Sequence, residues 1–225
     1  QGTKPVSLDH AFADSPLGRE IAGTEASVRA LPVEAIHRFW GTYYRPTNVV
    51  VAASGDLAHE ELVALAREAF GTGDGAIPAY APAPAAPAGE RFVRATRPTA
   101  QAQLVVGVPA LRRDHPDQWA LSVLNAVLGD GMSSRLFLEV REERGLAYDV
   151  GSSIISYADA GVLSVYAGVD PGRIRATIAA ILEQLARLRD ERVPDAELAK
   201  VKAYLAGRLK LRLDESRYLA SWVGT

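Results

Sequence analysis

Hydrophobic and polar positions along the chain fall into helical and strand periods in a readable order. In "PVEAIHRFWGTYYRP" Ile36, Phe39, Trp40 and Tyr43 share one side at helical spacing, with Pro32 in the first turn and Pro46 as the stop. The β-branched run "TNVVVAAS" then reads as a buried strand closed by Gly55 and Asp56. "HEELVALAREAF" brings Leu62, Leu65, Ala66, Ala69 and Phe70 to one face and ends at Gly71, so the first unit is helix, strand, helix.

From Gly71 to Pro98 the texture changes. Pro78, Pro82, Pro84 and Pro87 among Ala and Gly suit an extended connector between units, since they sustain neither a helix nor a central strand.

The second unit opens with the alternating strand "AQAQLVVGVPA". A helix follows in "HPDQWALSVLNAVLGDG", with Asp114 as expected N-cap, Pro116 in its first turn, and Ala120, Val123, Leu124 and Val127 facing a core. "SSRLFLEVREERG" predicts another helix, capped by Ser133 or Ser134, burying Leu136, Phe137 and Val140, and ended by a left-handed Gly145. "LAYDVGSSIISY" and "VLSVYAGV" flank the turn signal "ADAG" and predict an antiparallel hairpin. Two amphipathic helices close the chain, one striped by Ile174, Ile178, Ile181, Leu185 and Leu188, the other by Leu198, Val201, Leu205, Leu209 and Leu213. A strand is expected after them, and "SRYLASWVGT" does not supply it.

Composition narrows the function classes. At 225 residues, 48% hydrophobic and 23% charged, the chain has the make-up of a folded globular protein. A net charge of −2 offers no basic field for phosphate backbones, so nucleic acid is not an expected partner. No apolar stretch approaches a membrane span, and no membrane partner is expected. The absence of Cys fits a reducing compartment, and the expected location is cytoplasmic. Gln1 as first residue and Met132 as sole methionine suggest a fragment or processed product.

Metal and nucleophile chemistry find little support. His10, His37, His59 and His115 stand singly, and "HEE" at 59–61 is better explained by a helix N-terminus favouring acids than by ligation. The glycines of "GDGM" lack a phosphate-cradle pattern and give a tight turn into the next helix. Ser133, Ser134, Ser152 and Ser153 have no nearby His in sequence.

Arg141 and Tyr148, at opposite ends of "REERGLAY", remain. By residue type alone, Arg141 among Glu139, Glu142, Glu143 and Arg144 is a solvated helix face, and Tyr148 is a strand residue at the core edge. The helix–Gly145–strand junction equally allows an Arg fork and a Tyr hydroxyl to converge on one carbonyl oxygen, as an oxyanion requires.

The stretch "LGDGMSSRLFLEVREERGLAYDVGSS", followed by "DAGVLSVYAGVDP", resembles the insulinase or pitrilysin family of zinc peptidases, which includes processing peptidases. "SPLGREIAGTEASVRAL" with "YYRPTNVVVAASGDLAHEELVALAREAF" resembles the end of that family's zinc-bearing half. The resemblance implies an α+β fold: a two-half clamshell with antiparallel sheets backed by helices, here truncated at both ends. Residues 1–70 would close the first half, 71–98 link the halves, and 99–225 form most of the second, substrate-handling half. It implies cleavage of extended peptides inside a closed chamber, with Arg141 and Tyr148 as the catalytic pair that positions the substrate carbonyl. The family's H-x-x-E-H motif occurs nowhere in the chain and is expected upstream of Gln1. Zinc is therefore implied for a full-length protein or a partner, with no metal ligands here, and the chain alone is expected to hydrolyse nothing. The alternative is a non-catalytic subunit lending Arg141 and Tyr148 to a separate zinc-bearing partner; a homodimer is the other partner arrangement the resemblance admits. A purely structural relative, as in respiratory complexes, fits less well with retention of both residues. The expected metal content of the isolated chain after dialysis is below stoichiometric zinc by elemental analysis; one tightly held zinc per chain would refute the assignment.

Overall fold

The computed structural model describes residues 12, 15–71, 73, 76, 78–80, 82, 92–96 and 98–224. Its elements in chain order are α1 (Glu25–Ala30), α2 (Val33–Tyr43), α3 (His59–Phe70), β1 (Ala102–Ala110), α4 (Gln118–Leu128), a π-helix (Phe137–Glu143), β2 (Ala147–Ser156), β3 (Gly161–Val169), α5 (Ile174–Asp190), α6 (Asp195–Leu213) and α7 (Ser216–Val223), with short 3-10 turns between some of them. The chain divides into two compact units, one within Gln1–Ile21 and Pro82–Leu205, the other within Ala22–Ala81 and Ala206–Thr225. Most of the Pro-rich connector at 71–98, and His10, lie outside the described residues.

The unit holding most of the second half is the expected α+β layer. Its sheet is antiparallel in the order β1-β3-β2, with the predicted hairpin intact and Gly161 opening β3. Pro109 is compatible with β1 because an edge strand leaves one row of N–H groups unused. On one sheet face Leu128 from α4, Leu136 just before the π-helix, Val140 within it, and Ala180 and Ile181 from α5 pack on Val150, Leu163, Val165, Ala167 and Val169. A second cluster joins Ala126 and Val127 of α4 to Val201 of α6. On the opposite face the paired Val105 and Tyr166 are exposed, while Val162 and Ser164 further along β3 are buried.

Glycine permits the closest approach in this layer. A Cβ on Gly129, just past α4, would sit 2.5 Å from the Ser152 backbone nitrogen, too close to exist. Instead the Gly129 carbonyl accepts from Ser152 N–H at 3.2 Å, and the buried Ser152 hydroxyl donates to Asn125 Oδ1 at 2.8 Å. The end of α4 is thereby stitched to β2, and two buried polar side chains satisfy each other.

Several expectations change. In the 47–54 run Thr47 and Asn48 close a 3-10 turn, Val49 is extended, none of its residues belongs to a strand, and Val50 and Val51 are exposed, because β-branched residues favour extension while a ladder needs a neighbouring strand. α4 begins at Gln118 with Asp117 in the cap position, not after Asp114; Pro116 precedes it in a turn where Gln118 N–H donates to the His115 carbonyl. Ala120 of the expected core face is exposed, whereas Asn125 and Ala126 are buried, since β2 covers the last turn of α4 at Asn125 and α6 covers it at Ala126. In α6 Val201 is buried but Leu209 is exposed, and α7 adds a third terminal helix within "SRYLASWVGT". In the other unit α2 and α3 have the predicted spans, and Phe39 and Trp40 stack on Tyr43 and Tyr44 at centroid distances of 4.6 and 4.1 Å.

The strongest polar tie is between Arg135 and Glu197 of α6: Nε to Oε1 at 2.9 Å and Nη2 to Oε2 at 2.7 Å, a bidentate fork with side chains only 10% and 27% exposed. Hydrogen bonding from Arg135 holds the Glu197 carboxyl below the usual carboxylate range, against the opposing effect of burial. A lowered folded pKa means that this contribution is fully present above the unfolded value of about 4.3 and is lost as pH falls through the folded one. Glu197→Gln is therefore expected to lower stability at neutral pH and flatten its fall on acidification below about pH 4.3 in denaturant titrations. Arg135→Ala is expected to cost roughly 3 kcal/mol, the low end for breaking a buried pair because Glu197 keeps some solvent access. An unchanged acid slope in Glu197→Gln would sink this assignment.

Candidate functional site

The junction between the π-helix and β2 is built by backbone rules before any side chain enters. Arg144 N–H donates to the Glu139 carbonyl five residues back, the π-helical pattern, at 3.2 Å. Gly145 takes φ +57°, the left-handed stop expected of it, and its N–H donates to the Arg141 carbonyl at 3.1 Å. Leu146 N–H then reaches the Val140 carbonyl at 2.9 Å. From the next element, Arg173 Nη1 donates to the Gly145 carbonyl, and the fully buried Thr177 sends its hydroxyl to the carbonyls of Arg173 and Leu146 at 3.0 and 3.4 Å. The chain reversal between Arg141 and Tyr148 is thus held from both sides.

Tyr148 is placed by a β-bulge. Ala147 pairs with Val169 and Asp149 with Gly168, leaving Tyr148 as the extra residue without a partner on β3. Ala147 and Val150 are buried, while Tyr148 and Asp149 are both exposed, so the bulge breaks the alternation and turns two successive side chains outward. Tyr148 is 61% exposed, and its hydroxyl has no hydrogen-bond partner among the described residues. Nearby on the open sheet face, the Tyr166 hydroxyl lies over Gly151, where a Cβ would come within 2.5 Å of it. Burial first, then the Asp149 and Asp130 carboxylates, push the Tyr166 phenol above its ordinary value, keeping it a protonated donor.

Arg141 leaves the last turn of the π-helix 42% exposed. Its Cζ sits 4.7 Å above the Phe137 ring centroid, and its Nε lies 3.7 Å from Glu142 Oε1. The two expected site residues therefore flank one hydrogen-bonded junction, with no hydrogen bond between them among the described residues. The fold does not gather the other candidates: His37 and His59 lie on α2 and α3, in the other unit, and His115 Nδ1 accepts from Asp117 N–H in the turn before α4. The Ser134 hydroxyl donates to the Gly131 carbonyl at 2.6 Å and Ser152 to Asn125, which leaves neither paired with a histidine. Among the described residues no three His, Asp or Glu side chains gather to hold a metal ion, and no helix is long and apolar enough to cross a membrane. Residue type alone gave no sign of Phe137 beneath Arg141, nor of the bulge at Tyr148; a four-residue aromatic–arginine spacing was the available signal for the first.

The family "Peptidase M16 inactive domain" matches residues 30–205. The chain belongs to the peptidase M16 family. The insulinase and pitrilysin resemblance of the 128–171 region is borne out. The M16 chain is 40% identical over 221 residues to an uncharacterized zinc protease of Streptomyces coelicolor, covering 95% of this chain and 48% of that protein. It is 32% identical to one of Bacillus subtilis, covering 91% and 50%. It thus spans about half the length of the curated relatives it matches. A protease from Helicobacter pylori shares its fold with TM-score 0.82 at 24% identity, covering 98% of this chain and 56% of that one. A chain of Complex III2 from Candida albicans does so with TM-score 0.83 at 21% identity, covering 96% and 54%. A π-helix and a bulged strand carry the junction, and its left-handed glycine can be tested alone. Gly145→Ala is expected to cost about 1–2 kcal/mol in denaturant unfolding, because a Cβ there would meet only Arg173 Nη1, at an ordinary van der Waals distance of 3.9 Å, and the backbone angle is what resists it. A neutral substitution would remove the stop from the account.

Proposed function

We propose that this chain is the substrate-handling portion of a zinc-dependent endopeptidase that cleaves extended peptides inside a closed chamber. Arg141 and Tyr148 donate hydrogen bonds to the oxygen of the scissile carbonyl. The observation that carries this proposal is the pairing of two exposed donors on one braced junction, one of them turned outward by a bulge and free of any protein acceptor among the described residues. As the carbonyl carbon becomes tetrahedral, charge collects on its oxygen, and donors already fixed in place stabilise that charge without reorganising. The planar guanidinium offers several N–H groups along its edge, and the phenol offers one O–H.

The described residues do not fit a zinc site, so zinc belongs in this proposal to another part of a longer polypeptide or to a partner chain, and this chain alone is inactive. The name "inactive domain" and the zinc-protease names of relatives about twice as long support that division of labour. The roles of Arg141 and Tyr148 are the same whether the metal is carried on the same polypeptide or on a separate zinc-bearing subunit. A homodimer and a cytoplasmic location belong to the same proposal.

In the full-length protein, Tyr148→Phe is expected to lower kcat by ~10²- to 10³-fold, the usual cost of one oxyanion donor, with zinc content and unfolding midpoint unchanged. Arg141→Lys is expected to fail as a substitute, because an ammonium lacks the planar fork. Wild-type turnover of a quenched-fluorescence peptide by both variants would return the pair to a wet helix end and a core-edge tyrosine.

A further inference from the structure

Four arginines lie within or beside the π-helix, and they are held differently. Arg135 is forked on Glu197; Arg144 lies 2.9 Å from Glu183; Arg187 reaches Glu139 at 3.5 Å. Each spends N–H groups on a carboxylate. Arg141 does not: its nearest carboxylate oxygen is 3.7 Å away on the adjacent Glu142, beyond hydrogen-bonding distance, while its guanidinium carbon lies 4.7 Å above the Phe137 ring. Positions four apart on a helix are side-chain neighbours, close enough for the ring to lie beneath the cation.

We propose that Phe137 is the positioning residue for Arg141, its ring face fixing the plane of the guanidinium while leaving the N–H edge free for a substrate carbonyl. This rests on the preceding assignment of Arg141 to the substrate. The chemistry favours a ring over a carboxylate in this place. A carboxylate would hold the cation by occupying the very donors that must serve the substrate and would cancel its charge, whereas the negative face of an aromatic ring attracts the cation from below and takes no N–H. Phe137 can act as a fixed platform because it is half-buried and follows the fully buried Leu136, with fully buried Val140 one turn on.

Two measurements separate this from a packing role. In the full-length protein, Phe137→Leu keeps the apolar volume and loses the ring; it is expected to lower kcat ~2- to 5-fold on a quenched-fluorescence peptide, while Phe137→Tyr retains the wild-type rate. In an Arg141→Ala background, Phe137→Leu is expected to change nothing further. By NMR, the Arg141 side-chain Nε–H and its neighbouring methylenes are expected upfield in the wild type and in Phe137→Tyr, and shifted back in Phe137→Leu. An Arg141 spectrum indifferent to Phe137→Leu, or an equal loss of rate with and without Arg141, overturns the positioning role. Wild-type turnover by Arg141→Ala overturns the substrate role of Arg141 itself, and the positioning role with it, whatever the spectra show.

Discussion

Everything that places the candidate residues depends on a single backbone constraint, the left-handed turn at Gly145. An α- or π-helix ends with carbonyls that have lost their donors, and they must find partners without water if the end is packed. Here Gly145 and Leu146 fold back to donate to Arg141 and Val140, and the carbonyls of Gly145 and Leu146 are met by Arg173 and Thr177. A residue with a Cβ would resist φ +57°, which glycine adopts without strain. That turn lets Leu136, Val140, Ala147 and Val150 share one core with Ile181, and the core in turn holds the turn in place, so turn and core specify each other.

The bulge follows from the same geometry. β2 must enter the sheet with Ala147 buried directly after the turn and must also bury Val150, three positions later. Strict alternation cannot place residues an odd number of positions apart on one face; one extra residue restores the phase. Tyr148 is that residue, which explains how a large aromatic stands in the open beside a tightly packed strand.

Legibility in the sequence tracked whether an element's partners were local. Helix spans in α2, α3 and α5, the hairpin around the 158–161 turn signal and the stop at Gly145 are written in nearest-neighbour patterns and match the structure, with Gly161 already the first residue of β3. The 47–54 run misled because a β-branched stretch announces extension, while pairing is a property of another segment. The cap of α4 misled because Asp114 and Asp117 are equally good by residue type, and the His115 turn decides between them. Arg141 and Tyr148 stood out through a family resemblance; their shared junction was legible from Gly145, but the π-turn beneath one and the bulge beneath the other were not, since both are phase corrections imposed by packing against β3 and α5.

Exposure of the pair bears on how such donors work. In bulk water an arginine–carbonyl contact gains little, because each donor exchanges one hydrogen bond for another and the charge is screened. The same donors strengthen when a bound peptide and an opposing wall exclude water, as the effective dielectric falls. Arg141 at 42% and Tyr148 at 61% exposure are thus poorly used by the chain on its own. What the fold contributes is orientation: the turn, the bulge and the Arg173 and Thr177 bonds restrict the backbone that carries both side chains. In the proposed peptidase role, the remaining gain comes from excluding solvent around groups that already stand in place and need not move.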